Sequence, residues 1–156
     1  MGEVDRRSAQ PVRLALSEVA GRDVDGAWWP QTNRVAGELP HLMLALASRV
    51  GAVEGIGVNW TNTSAFPNFN AAEFPAHPGT PASIDLHLMV ITGSLRRITL
   101  LLIPFRTSVR LATLVLREAV ALPIPMDLLD TRAHMAARRI VQSAQTQAAD
   151  GRAKTG

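Results

Sequence analysis

Four histidines, His41, His77, His87 and His134, are the side chains of this chain that titrate near neutral pH, so proton transfer or metal ligation would have to draw on them. No two lie four residues apart, the spacing with which one helix face offers two ligands to a metal, and there is no cysteine to add a thiolate. No metal site is expected. His87 shares one face of an expected strand with Asp85, where a carboxylate and an imidazole could exchange a proton; a solvated strand face is the competing reading. The serines lie in neither a Gly-x-Ser-x-Gly elbow nor a Ser-x-x-Lys motif. Gly55-Ile56-Gly57 lacks the Lys-Ser/Thr that completes a phosphate cradle. The sequence therefore offers no catalytic residue and no cofactor motif.

What remains is a binding-type constellation. Asp25-Gly26-Ala27-Trp28-Trp29-Pro30 holds two of the three tryptophans of a chain with no tyrosine and four phenylalanines. Adjacent side chains of an extended segment point to opposite faces, so one ring would enter the core while the other could line a pocket. The pocket candidates are Asp25, Trp28 and Trp29, with Arg13, Glu38, Trp60 and His87 as further polar and aromatic lining. The competing reading puts both rings in the core and leaves Asp25 to close a turn with Gly26.

Composition narrows the classes further. With 156 residues, 47% of them apolar, the chain is long enough to bury a core as one globular domain. Fifteen of the sixteen basic residues are arginine, and the net charge is only +3. Arg132, Arg138 and Arg139 could form a nucleic-acid- or ribosome-binding arm, but Asp127, Asp130 and Asp150 dilute them and no aromatic residues interleave. Nucleic acid is thus the least favoured partner. No apolar run approaches the roughly 18 residues of a membrane span, and residues 1–10 lack a signal-peptide apolar region. The expectation is a cytoplasmic protein without membrane contact.

The elements that must position these residues follow from periodicity. Val12, Leu14 and Leu16 alternate with polar or small residues, as in a half-buried strand. A turn ending in Asp25-Gly26 precedes a short extended piece at residues 27–29. Thr32 or Asn33 is placed to cap a helix whose face carries Val35, Leu39, Leu42, Leu46 and Val50, and Gly51 stands at its end. Pro40 argues for a short turn at 33–38 and a helix that begins with Pro40 in its first turn. A strand is expected over 53–60, a long loop over 61–81, and a hairpin of 82–91 with 97–105 through Thr92-Gly93-Ser94. The strand at 98–103 is apolar on both faces, which places it centrally. Thr107 or Ser108 caps a helix to about Leu122, stopped by Pro123 and Pro125. The last helical stretch, 127–149, has a mostly alanine face and is expected to fray or to dock on a partner.

The run from Val12 to Leu16, the block from Asp25 to Pro30, and Glu38-Leu39-Pro40-His41-Leu42 recur in this order in one family. The chain resembles an uncharacterised actinobacterial family, domain of unknown function 5994, over roughly residues 11–122. The resemblance implies a small single domain and an actinobacterial source, and it supplies no catalytic residues. The expected organisation is a disordered lead (1–10), a single α+β domain (11–125), and a helical arm with a flexible tail (126–156). The fold class is α+β: an antiparallel sheet of about five strands with two main helices on one face and a C-terminal helical arm. The favoured function is a non-catalytic binding or interaction module that self-associates as a homodimer, with a protein partner as a variant of that reading. The alternative is a small-molecule-binding protein or enzyme with a pocket beside Trp28 and Trp29.

Overall fold

The computed structural model describes residues 13–17, 23–32, 34–58, 69–70 and 86–155. Five strands make one sheet: β1 (Leu14–Leu16), β2 (Gly26–Trp28), β3 (Val53–Val58), β4 (Leu88–Gly93) and β5 (Arg97–Leu102), in the spatial order β1-β2-β5-β4-β3. The helices are α1 (Val35–Val50), α2 (Val109–Ala119) and α3 (Arg132–Thr155), with a 3-10 turn at Met126–Leu128 before α3. The expected disordered lead, the 61–81 loop except for Phe69 and Asn70, and residues 82–85 fall outside the described residues.

The α+β class and the five strands agree with the pattern of the sequence, and β5 is central as its two apolar faces require. Two features differ. The sheet is mostly antiparallel, but β2 pairs with β5 in parallel, Gly26 opposite Leu100 and Trp28 opposite Leu102. Parallel neighbours need a long crossover. Here the chain leaves β2 through α1 to β3 on the far edge, then returns through β4 to β5.

The second difference is that the two main helices lie on opposite faces of the sheet. Leu42, Leu46 and Val50 of α1 pack on Trp28, Met89, Ile91, Ile98, Leu100 and Leu102. Leu111, Leu114 and Val115 of α2 pack on the residues between, Ala27, Trp29, Leu88, Leu101 and Ile103. Period-two alternation separates the two sets, and because β2, β4 and β5 are apolar on both sides, both sides require a cover. The layers are α1, sheet, and α2 with α3.

Local chemistry sets the helix ends. α1 runs unbroken through Pro40, which is exposed on its outer side. The missing proline N–H costs the Ala36 carbonyl its donor, but Ala36 is itself exposed, where solvent can take the place of that bond. The helix thus begins before Pro40. Its N-cap is Arg34, without a side-chain cap, while Thr32 Oγ1 accepts the Arg34 N–H at 3.1 Å; Asn33 lies outside the described residues. Ser108 caps α2 by accepting the Leu111 N–H. α2 stops at Ala119, short of Leu122: Ala121 takes φ 58°, its N–H reaches the Glu118 carbonyl, and the Leu122 N–H reaches that of Arg117. These are the two bonds of a Schellman turn.

The alanine-faced stretch packs on the chain's own α2 and does not wait for a partner. Ala133, Ala136, Ala137, Ile140, Val141 and Ala144 all enter the core shared with α2. Thr131 starts it, its carbonyl accepting the Met135 N–H at 3.0 Å and its hydroxyl the His134 N–H at 3.2 Å.

Gly26 is required by close approach. A Cβ there would run into the Ala15 backbone carbonyl on β1, whereas one at Gly57 on β3 would meet nothing within 4 Å. Gly26→Ala is expected to cost about 1–3 kcal/mol by forcing β1 away. Gly57→Ala is expected to stay within about 1 kcal/mol of the parent. Urea unfolding of the two variants side by side checks the contrast; equal stabilities would place β1 elsewhere.

Candidate functional site

The segment from Asp25 to Pro30 carries β2, between the edge strand β1 and the central strand β5. Asp25 lies just before β2, buried, and continues the parallel pairing by hand: its N–H donates to the Thr99 carbonyl and its Oδ2 accepts the Thr99 N–H, both at 2.8 Å. Its carbonyl accepts the Ser17 N–H at 2.7 Å, and Arg96 lies 3.6 Å from Oδ1. A carboxylate with two of its oxygen positions so engaged is a backbone clamp, and Asp25 therefore ties β1, β2 and β5 together.

Trp28 and Trp29 are both buried, 2% and 6% exposed, and they enter different cores. Trp28 lies under α1. Trp29 lies under α2 and α3, where its indole N–H donates to the Phe105 carbonyl at 3.3 Å. Arg13 covers the outer side of Trp29, its guanidinium carbon 3.6 Å from the ring centroid. The same guanidinium donates to the Trp29 carbonyl at 3.1 Å and to the Pro30 carbonyl at 2.6 Å. A cation over an indole adds about 0.5–2 kcal/mol, more as water is removed. Burial pulls the Arg13 pKa down, and the negative charge of Glu38 pushes it back up.

Glu38, on the first turn of α1, faces the loop that follows Pro30. Its carboxylate accepts the Gln31 N–H and the Thr32 N–H, each at 2.8 Å, and the Thr32 hydroxyl at 2.7 Å. Arg13, Trp29 and Glu38 are thus brought into one cluster that fixes the β2–α1 corner. Asp25 stands at the other end of β2. His87 is buried just before β4, its carbonyl accepting the Leu102 N–H at 2.9 Å. Trp60, Asp85 and His77 lie outside the described residues.

Three polar contacts had no local signal in the sequence because their partners come from distant elements. His134 on α3 has its Nε2 2.9 Å from Glu118 of α2, while its Nδ1 accepts the Asp130 N–H at 3.0 Å. The accepting Nδ1 fixes the proton on Nε2, which donates to Glu118. The side-chain amide of Gln147 pairs with both backbone groups of Leu86, at 3.2 and 2.7 Å, as a neighbouring strand would. Asn70 accepts the Ser108 N–H and donates to the Arg106 carbonyl, holding Phe69 in the core beside α2. Among the described residues, no group of three His, Asp or Glu side chains could hold a metal ion. No helix among the described residues is long and apolar enough to cross a membrane.

Among the described residues, Leu44, Ile56, Leu95 and Val109 are exposed singly on separate elements, while four more large apolar side chains fall close together along the chain. Leu122, Met126, Leu129 and Met135, on the connection between α2 and α3 and the first turn of α3, are 50%, 88%, 45% and 56% exposed.

The model of a family of unknown function (DUF5994) matches residues 13–119, and the chain belongs to that family. No curated protein and no solved structure matches. The match covers the sheet, α1 and α2 and ends before the exposed connection and α3.

Since each indole fills its own core, Trp28→Ala and Trp29→Ala are each expected to cost about 3–5 kcal/mol in equilibrium unfolding. A near-neutral result at either position would show a ring that serves a surface instead. His87 supplies a pH dependence: burial lowers its pKa from 6.5, so the folded chain favours the neutral ring. The unfolded chain then binds more protons below pH 6.5, and the stability held by His87 is complete above that pH and lost as pH falls through the folded value. His87→Gln is expected to flatten the acid limb of the stability–pH curve between pH 7 and pH 5, measured by urea midpoints.

Proposed function

We propose that the chain is a non-catalytic interaction module that acts as a homo-oligomer. The observation that carries this reading is the exposure of Leu122, Met126, Leu129 and Met135 beside a helical layer whose inner side is fully packed. Monomers normally scatter exposed apolar residues singly, and a concentration of them favours a partner. The groups best suited to acid–base work support it in another way. Asp25, Glu38 and His134 each hold backbone or side-chain donors and acceptors that fix the fold. A cytoplasmic setting suits a chain without cysteine, and it is part of the proposal.

Light scattering on the full chain across a concentration series tests the reading. The expected result is a mass of twice the 16.8 kDa chain, falling toward one chain on dilution. A single-chain mass at every concentration up to about 1 mM, the weak end of specific association, would remove self-association from the proposal.

A further inference from the structure

We infer that the self-association surface is the stretch from Met126 to Arg138, and that its occupant is the same stretch of a second copy, related by a two-fold axis. The inference rests on the homo-oligomer reading above and adds the place and the charge pattern. Met126, Asp127, Leu129 and Asp130 are exposed before α3, and Arg132, Met135 and Arg138 are exposed on its first two turns. Acidic groups thus flank the apolar side chains at one end of the stretch and arginines flank them at the other. Among the described residues, Asp127, Asp130, Arg132 and Arg138 make no ion pair.

A two-fold axis set across the chain direction makes the two copies antiparallel, and every contact then occurs twice. With the axis near the middle of the stretch, the apolar side chains Met126, Leu129 and Met135 of the two copies come together. The same operation turns the acidic end of one copy, Asp127 and Asp130, toward the arginine end of the other, Arg132 and Arg138. An antiparallel arrangement therefore suits both the apolar and the charged groups of the surface. A parallel register would set arginine on arginine and aspartate on aspartate. A membrane surface or an acidic peptide would leave Asp127 and Asp130 facing like charge, which is why the second copy is the occupant chosen. The outer stripe of α3, through Gln142 and Thr146, is exposed and continues the surface along the helix.

The ends of the stretch are held firmly enough to be altered singly. Arg132 is the first residue of α3, where an acidic replacement suits the helix dipole. Asp130 has φ 60°, so it is changed to asparagine, which tolerates the left-handed region, rather than to a basic residue.

The test uses two full-length variants, R132E/R138E and D127R/D130N, with circular dichroism as the check on folding. Each alone sets like charges across the axis and is expected to raise the dimer dissociation constant at least about tenfold, the scale of a 1.4 kcal/mol change. Mixed in equal amounts, the two are expected to restore a dimer that contains one of each, seen by native mass spectrometry. Met126→Asp, at a side chain that is 88% exposed, gives an independent loss of dimer without touching the charged groups. A wild-type dimer unaffected by all three variants would place the interface elsewhere while leaving self-association standing. Variants that dissociate but do not recover on mixing would overturn the two-fold charge pairing. A monomeric wild type would remove the underlying reading, and this inference with it.

Discussion

Two successive tryptophans, the last residue of β2 and the one that follows it, face opposite ways, and the rest of the fold is arranged so that both are covered. A strand places successive side chains on opposite faces, so burying Trp28 and Trp29 together requires a layer on each side of the sheet. α1 supplies one and α2 with α3 the other. That demand accounts for the route of the chain: after β2 it crosses one face as α1, and after β5 it crosses the other as α2. It also accounts for the parallel pairing of β2 with β5, because the crossover through α1 lets β5 return beside β2 with two strands already laid down. The strand itself is too short to hold such a position by its ladder alone. Asp25 at its start and Arg13 at its end supply the missing bonds, through Thr99 on one side and the Trp29 and Pro30 carbonyls on the other.

The same residues that look available for chemistry in the sequence are those that secure this core. A buried polar group is costly unless it is hydrogen-bonded, so a polar residue next to two tryptophans has to find partners within the fold. Asp25 finds a backbone N–H, Arg13 finds two carbonyls and an indole face, and Glu38 finds three donors in the loop beyond Pro30. The cluster of Arg13, Trp29 and Glu38 is a corner brace between β2 and α1. Its polarity serves to satisfy the chain at a bend that is partly shielded from water.

Much of the fold could be read from side-chain periodicity. β5, with Ile98, Leu100 and Leu102 on one face and Leu101 and Ile103 on the other, announces a central strand; α1 shows its buried stripe at Val35, Leu42, Leu46 and Val50. What periodicity could not give is the side of the sheet on which a helix lies. That depends on the handedness and length of connections, and α1 and α2 are each amphipathic in a way that suits either face. Pro40 misled for a related reason: its cost depends on whether the Ala36 carbonyl is wet, which is a property of the packed helix rather than of the sequence. The polar cluster was legible in its members and illegible in its purpose. Arg13, Trp29 and Glu38 are separated in sequence, and only the fold shows that Arg13 reaches the Trp29 and Pro30 carbonyls while Glu38 reaches the N–H groups of Gln31 and Thr32. His134 with Glu118, and Gln147 with Leu86, join elements whose contact no local spacing encodes.

The alanine face of α3 misled most usefully. Alanine buries little area, which suggested a weakly held arm, yet small side chains also let two helices approach closely, and each costs almost no side-chain entropy on folding. α3 compensates for its modest apolar contribution with directional bonds: the Thr131 cap, the His134–Glu118 contact and the Gln147 pairing with Leu86, one near its start and one far along it. Such bonds fix rotation about the helix axis as well as position, because a helix rolled by one residue would break all of them. The outer face is therefore presented at a defined angle, with Met135 beside the connection that carries Met126 and Leu129. A surface ordered in this way would lose less entropy on binding than a flexible arm. The close alanine packing on the inside and the exposed methionines on the outside are in this sense two consequences of one arrangement: α3 is held rigidly by its inner side so that its outer side is available.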